Sequence, residues 1–199
     1  MNFLAHIYLS NNQKQVTIGN FMADGIRGKK YKEFPKNIQI GMLLHREIDT
    51  FTDAHPVVRQ STKKLHENYG HYSGVIVDIF YDHFLAKNWT TYSEVPLADY
   101  AQNFYELLQD NFDILTPRIQ NMLPYMIDGN LLTSYAEIDG IQFVLEGMNR
   151  RTNNKSNMHN ATHELVKYYD EFESEFRLFF EDLQVFAAEK LETITKTII

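Results

Sequence analysis

Apolar residues recur along this chain at three- and four-residue spacings almost throughout, and alternating runs of the kind that build half-buried strands are few. The pattern predicts an all-α protein. A short helix is expected over residues 1–9 and a second over about 15–26, with Gly25 and Gly28 as its stop signals. Pro35 opens a third over about 36–53, and Pro56 a fourth that runs to about Tyr69. Residues 73–87 form a fifth, and about 97–112, just after Pro96, a sixth. Shorter helices are expected between Pro117 and Arg151, and Ser156 stands where a cap would open a further one. The last helix, over about 168–195, carries Phe172, Phe176, Phe179, Phe180, Leu183, Phe186 and Leu191 at mostly helical spacings, which is a core-facing stripe.

Composition narrows the class. The 199 residues suit one domain over residues 1–199, without repeats, low-complexity tracts or a clear linker. Hydrophobic residues at 44% and aromatics at 14% supply a sizeable core and exclude a disordered chain. The absence of cysteine excludes a disulfide framework, zinc–thiolate and iron–sulfur sites and a cysteine nucleophile together, and fits a reducing compartment. The opening MNFLAHIYLSNNQKQ lacks the basic start of a signal peptide, and no window reaches the roughly 18 apolar residues of a membrane span, so a cytoplasmic protein is expected.

Net charge is −7, which argues against a general nucleic-acid binder, but the charge is uneven. Residues 27–36, RGKKYKEFPK, hold five basic residues and one acid, and NRRTNNK at 149–155 adds three more bases. A basic patch on an acidic protein points to one anionic partner docked at one place, through Lys29, Lys30, Lys32 and Lys36, with Arg150 and Arg151 next in line.

Polar residues inside apolar segments carry the candidate chemistry. In HREIDTFTDAHP, His45, Asp49 and Asp53 stand at i, i+4 and i+8 and line one helical face, while Ile40, Leu44, Ile48 and Phe51 form a separate apolar stripe. Taken alone, that face also reads as the wet side of an amphipathic helix. In VIVDIFYDHFLAKNW, Asp78 and Asp82 share a face and His83 lies about 100° round, within a run that otherwise reads as buried core. A buried charge without a partner costs several kcal/mol, on the order of that of an isolated ion in the interior, and no Lys or Arg precedes Lys87 in this helix. In GNFMADGIRG, Asp24 stands at the end of a mostly apolar helix, and His6 sits alone in an apolar run. Several Asp and two or three His in apolar helices, without matching bases, point to a divalent cation. Carboxylate with imidazole suits Mn, Fe, Zn or Mg, and the lack of thiolate argues against structural zinc. Such sites polarise phosphoryl oxygens. No H-E-x-x-H, E-x-x-H, phosphate-loop or G-x-S-x-G motif is present, which leaves an all-α metal-dependent phosphohydrolase as the common remaining class.

MNFLAHIYLS, GNFMADGIRG, HREIDTFTDAHPVVR and DIFYDHFLAKNW, in that order over roughly residues 1 to 151, together resemble the acyl carrier protein phosphodiesterases, with a weaker likeness through IDGIQFVLEGMNRR. That family is similar to the HD-domain phosphohydrolases, although this chain carries Asp82-His83 in place of a His-Asp dipeptide. The resemblance implies an HD-like helical bundle and a divalent metal, typically Mn2+, with Mg2+ or Fe2+ as substitutes. It also implies hydrolysis of the phosphodiester that joins 4′-phosphopantetheine to a serine of holo-acyl carrier protein. On that reading His45, Asp82 and His83 are expected as metal ligands, with Asp24, Asp49 and Asp78 as further ligands or their orienters. Asp49 or Asp53 orients the attacking water, His6, His55 or a metal-bound water is the acid, and Arg46 and Arg27 clamp the phosphate. Two rival readings stand beside it: an HD-like hydrolase of a nucleotide or other small phosphate ester, and a non-catalytic helical binding protein with a structural metal. Neither sequence nor resemblance fixes an oligomeric state.

Overall fold

One helix is buried on nearly every side. α5 (Ser73–Lys87) buries Ile76, Val77 and every side chain from Ile79 to Ala86, the pattern of a central helix rather than of an amphipathic one. This computed structural model describes residues 1–198, and among them there is no strand, so the expected all-α class holds. Before α5 in the chain come α1 (Phe3–Tyr8), α2 (Lys14–Met22), α3 (Lys36–Ala54) and α4 (Pro56–Tyr69). After it come α6 (Trp89–Tyr92), α7 (Leu97–Asp110), α8 (Pro117–Asp128), α9 (Leu131–Ser134), α10 (Ile138–Arg151), α11 (Thr162–Lys167) and the long α12 (Tyr169–Ile198). α1, α4, α10 and α12 supply most of the packing around α5. No helix among the described residues is long and apolar enough to cross a membrane.

α12 supplies the expected aromatic stripe. Phe172 meets Phe80 edge-on at 5.3 Å, Phe176 meets Tyr81 at 5.7 Å, and Phe186 stacks on Phe51 of α3 at 4.2 Å, so one helix clamps α3 and α5. Its buried Glu175 has partners from α4, Lys64 and the Ser61 hydroxyl, and is a structural ion pair.

α2 and α3 approach until backbones touch. A Cβ on Gly19 would lie 2.1 Å from the Ile38 carbonyl oxygen, and one on Gly41 would lie 2.0 Å from the Val16 carbonyl oxygen. Only glycine fits at either place. The contact presses α2 against the turn of α3 that precedes His45.

Two expected boundaries move. α2 ends at Met22, and Ala23–Gly25 continues as a 3-10 turn, which puts Asp24 on a connecting segment rather than at a helix end. Ser156 does not open a helix. It is buried, donates to the Asn149 side-chain oxygen at 2.9 Å and precedes the 3-10 turn Met158–Asn160, with α11 starting later.

Candidate metal centre

α1 has six residues, too few to hold a helix by its own hydrogen bonds, and α5 holds it in place. Asp82, with no exposed surface, accepts the Leu4 N–H at 2.7 Å and the Ala5 N–H at 3.2 Å, two donors of the first turn that have no partner within the helix. One turn earlier on α5, Asp78 pairs with the Met1 amino group at 3.0 Å. The carboxylates that lacked basic partners in their own helix thus find donors in α1, as backbone and terminal N–H groups. His83 is also satisfied. Its Nδ1 lies 2.8 Å from the Tyr135 carbonyl, which can only accept, so Nδ1 carries the proton and Nε2, 2.8 Å from the Tyr169 hydroxyl, accepts from it.

The far end of α1 faces α2 and α3, and there the chemistry collects. His6, His45 and Asp49 each offer a ligand atom within 4.8 Å of the others, a group that could hold a metal ion. Asp49 spans the two imidazoles, with Oδ1 3.2 Å from His6 Nε2 and Oδ2 3.1 Å from His45 Nε2, and the rings stack with centroids 4.0 Å apart. Asp24 brings a second carboxylate to the same His45 nitrogen at 3.2 Å.

Asn20, wholly buried on α2, fixes the tautomer of His6. Its amide nitrogen donates to the His6 carbonyl at 2.8 Å and to the Ser10 hydroxyl at 3.0 Å, which orients the amide. The amide oxygen therefore faces His6 Nδ1, 2.8 Å away, and Nδ1 must be the donor. In the neutral ring Nε2 then carries a lone pair. That atom is buried, makes no hydrogen bond, and points at an Asp49 oxygen. Lone pair against carboxylate is repulsive unless a proton or a cation lies between. A proton is disfavoured, because burial, with the charge on His45 next, pushes the His6 imidazole down to about 4. A cation relieves the contact, so the donor set fits a metal.

His45 is in the opposite condition. Burial pulls its imidazole down, but hydrogen bonds and charge from Asp24 and Asp49 outweigh that and raise it to about 9. Burial likewise works against the Asp49 carboxylate, and the His45 hydrogen bond, together with the neighbouring His6 and the Met1 amino group, outweighs it and holds the carboxyl well below the usual range. In Asp24 the same His45 hydrogen bond lowers the carboxyl directly.

The other expected site residues scatter. Asp53 lines a polar cleft of about 280 Å³ beside the cluster, together with Asp24, Asp49, Thr52 and Asp78. His55 is held at a different place, with Nε2 3.3 Å from Asp182 of α12 and its ring edge-on to Phe179 at 5.0 Å. Arg46 donates to the Ile26 carbonyl at 2.9 Å and lies over the Tyr31 ring, so it ties down the segment after Asp24. Arg27, Lys29, Lys30, Lys32 and Lys36 are exposed along that segment. Arg150 is exposed, 3.8 Å from Glu146, and Arg151 is exposed on the same helix. The sequence reading missed Asn20 and Ser10. Their only signal is an amide and a hydroxyl set inside the apolar runs IGNFM and HIYLS.

The family described as acyl carrier protein phosphodiesterase matches residues 1–183. Curated relatives named acyl carrier protein phosphodiesterase, from Enterobacter sp. (strain 638) and from Escherichia coli O139:H28 (strain E24377A / ETEC), are each 30% identical over 191 residues, covering 96% of this chain and 99% of theirs. No solved structure matches.

Proposed function

Because the chain belongs to the acyl carrier protein phosphodiesterase family, we propose that it hydrolyses the phosphodiester between 4′-phosphopantetheine and the carrier serine. Water adds to phosphorus, the bond from phosphorus to the serine oxygen breaks, the proton that the water gives up goes to that oxygen, and apo-carrier and 4′-phosphopantetheine leave. The observation that carries the metal dependence is the buried His6 Nε2, unpartnered and aimed at Asp49. His6, His45 and Asp49 would hold the cation, Asp24, 3.2 Å from His45 Nε2 but outside the converging group, would close in as a further donor, and Mn2+ suits this mixture of imidazole and carboxylate. When bound, the cation supplies charge stabilisation at the phosphoryl oxygens. Asn20 keeps the His6 proton on Nδ1, and Asp53, one turn beyond Asp49 on the cleft wall, orients the attacking water. Asp82 and Asp78 set the position of α1, and Arg46 sets that of the Asp24 segment, which replaces the expected ligand and phosphate-clamp roles.

The direct test incubates Mn2+-loaded protein with holo-carrier and reads the carrier's mass. Loss of the prosthetic group supports the reading. An intact carrier beside rapid cleavage of a nucleotide in the same panel replaces it with the small-phosphate-ester reading. Metal removal separates the third reading, since a structural metal on a binding protein would take the fold with it.

Two further outcomes are expected. Cation loading should release about one proton near neutral pH, because the His45 proton must leave while neutral His6 has none to give. Affinity should therefore weaken about tenfold for each pH unit below about 9. Titration calorimetry in buffers of different protonation enthalpy measures this, and no proton release would mean that His45 is not a donor to the cation. Reversing charge at Lys29, Lys30 and Lys32, all exposed, should raise KM for the acidic carrier about tenfold and leave kcat within about twofold, since these contacts act alike on bound substrate and transition state. Added salt should have the same effect on the wild type. A KM indifferent to both would move docking to another face.

A further inference from the structure

The cleft beside the cluster adjoins a second hollow. Asn2, Asp24 and Met148 line both the polar cleft and a cavity of about 180 Å³ between α8, α9 and α10. Away from Asp24 the character changes: Phe3, Met122, Met126, Leu131 and Val144 form the wall, and Asn2 donating to the Tyr135 hydroxyl at 3.2 Å is a polar pair within it. Tyr125 and Phe143, both on this wall, are 79% and 63% exposed, large aromatic side chains left open to solvent beside the cavity. Apart from Asp24 the lining holds no carboxylate, and its two charges, Arg118 and Arg151, belong to exposed side chains.

We infer that this cavity receives the pantetheine arm of the substrate, with its thiol end directed away from the cluster. The inference rests on the proposed function, because it takes the phosphate of the same molecule to lie at the metal centre. Three features favour that occupant. The cavity borders the cleft that Asp49 lines and shares Asn2, Asp24 and Met148 with it, which places it within reach of one ligand held at the cluster. Its wall is apolar with a few polar groups, which matches an uncharged chain that carries methyl groups and spaced amides. Its volume lies below the roughly 300 Å³ at which ordinary ligand pockets begin, so it suits a slender chain and not a nucleobase with its sugar. Arg118 and Arg151 have no anion to meet in the arm. They face solvent, where the acidic surface of the carrier passes.

Gly147 makes the test possible. It lines the cavity from α10, and a Cβ built on it meets only the Arg150 guanidinium at 3.8 Å. Gly147→Leu therefore fills the cavity without displacing backbone and raises helix propensity. Val144→Trp fills it from the adjacent wall. Mn2+-loaded wild type and both variants are titrated calorimetrically with 4′-phosphopantetheine and with inorganic phosphate. Wild type should bind 4′-phosphopantetheine at least about tenfold tighter than phosphate, and both variants should lose that preference while their phosphate affinity and melting temperature hold. Equal wild-type affinity for the two ligands, or a preference intact in both variants, overturns the assignment. Cleavage of holo-carrier is measured alongside. An uncleaved carrier with a strong arm preference refutes the substrate reading alone, whereas a cleaved carrier with no arm preference refutes the cavity assignment alone.

Discussion

Alanine at His45 should remove bound cation and turnover together while leaving the helices in place. His45 gives Nε2 to both Asp24 and Asp49, and its Nδ1 makes no hydrogen bond, so truncation breaks no tie to the backbone. Losing a donor exceeds losing its support. Asn20→Ala, which frees the His6 tautomer, is expected to cost roughly 10–100-fold in metal affinity, and His45→Ala more than that. Asp53→Asn behaves differently. Asp53 lines the cleft but lies outside the group of donor atoms that converge, so kcat should fall with the metal retained. Metal content after dialysis, turnover and circular dichroism on the same three preparations decide this. Should Asp53→Asn lose its cation as fully as His45→Ala, Asp53 is a donor and the water must be oriented by another group.

Asp82→Ala should act through stability. The substitution leaves two backbone N–H groups of α1 without an acceptor in a position that has no exposed surface. Each buried unsatisfied donor costs about 1–3 kcal/mol, so the pair should cost about 2 kcal/mol at the least. For a domain of this size that lowers the melting temperature by roughly 5 °C or more. Asp82→Asn keeps one carbonyl oxygen and should recover part of the loss. Activity falls in both because α1 carries His6, and it should fall in proportion to the folded fraction. A folded, normally stable Asp82→Ala protein that binds no metal would falsify the structural role and return Asp82 to the ligand set.

The face made by His45 and Asp49 was legible because both features it depends on are local: a four-residue spacing and a neighbouring apolar stripe that fixes which side turns inward. The bounds of α4 and α5 were legible for the same reason, with Pro56 and a continuous apolar run as markers. For Asp78, Asp82 and His83 the expectation counted side-chain cations only. A helix start and a chain terminus are also cationic in effect, and in this fold both come from residues about 77 positions away in sequence. His83 finds its partners on segments 52 and 86 residues distant, which no spacing rule reaches. Asn20 was passed over because a neutral amide carries no charge to explain. Its importance comes from one orientation, set by the His6 carbonyl and the Ser10 hydroxyl, which accept from its amide nitrogen.

The hold of Arg46 on Ile26 and Tyr31 has a thermodynamic consequence. Asp24 and the basic residues belong to one short connecting segment, and a residue adjacent to His45 anchors it. On the proposed function, a cation drawing Asp24 toward His45 and an acidic carrier settling on Lys29 to Lys36 would therefore restrict the same stretch of chain. Whatever ordering the first of these ligands accomplishes, the second need not repeat. Binding free energies are reciprocal, so the factor by which metal tightens the carrier must equal the factor by which carrier tightens the metal. Cutting the tether with Arg46→Ala would loosen that coupling while leaving each site's own donors untouched, and an enzyme stripped of metal would hold its carrier less firmly even before chemistry is considered.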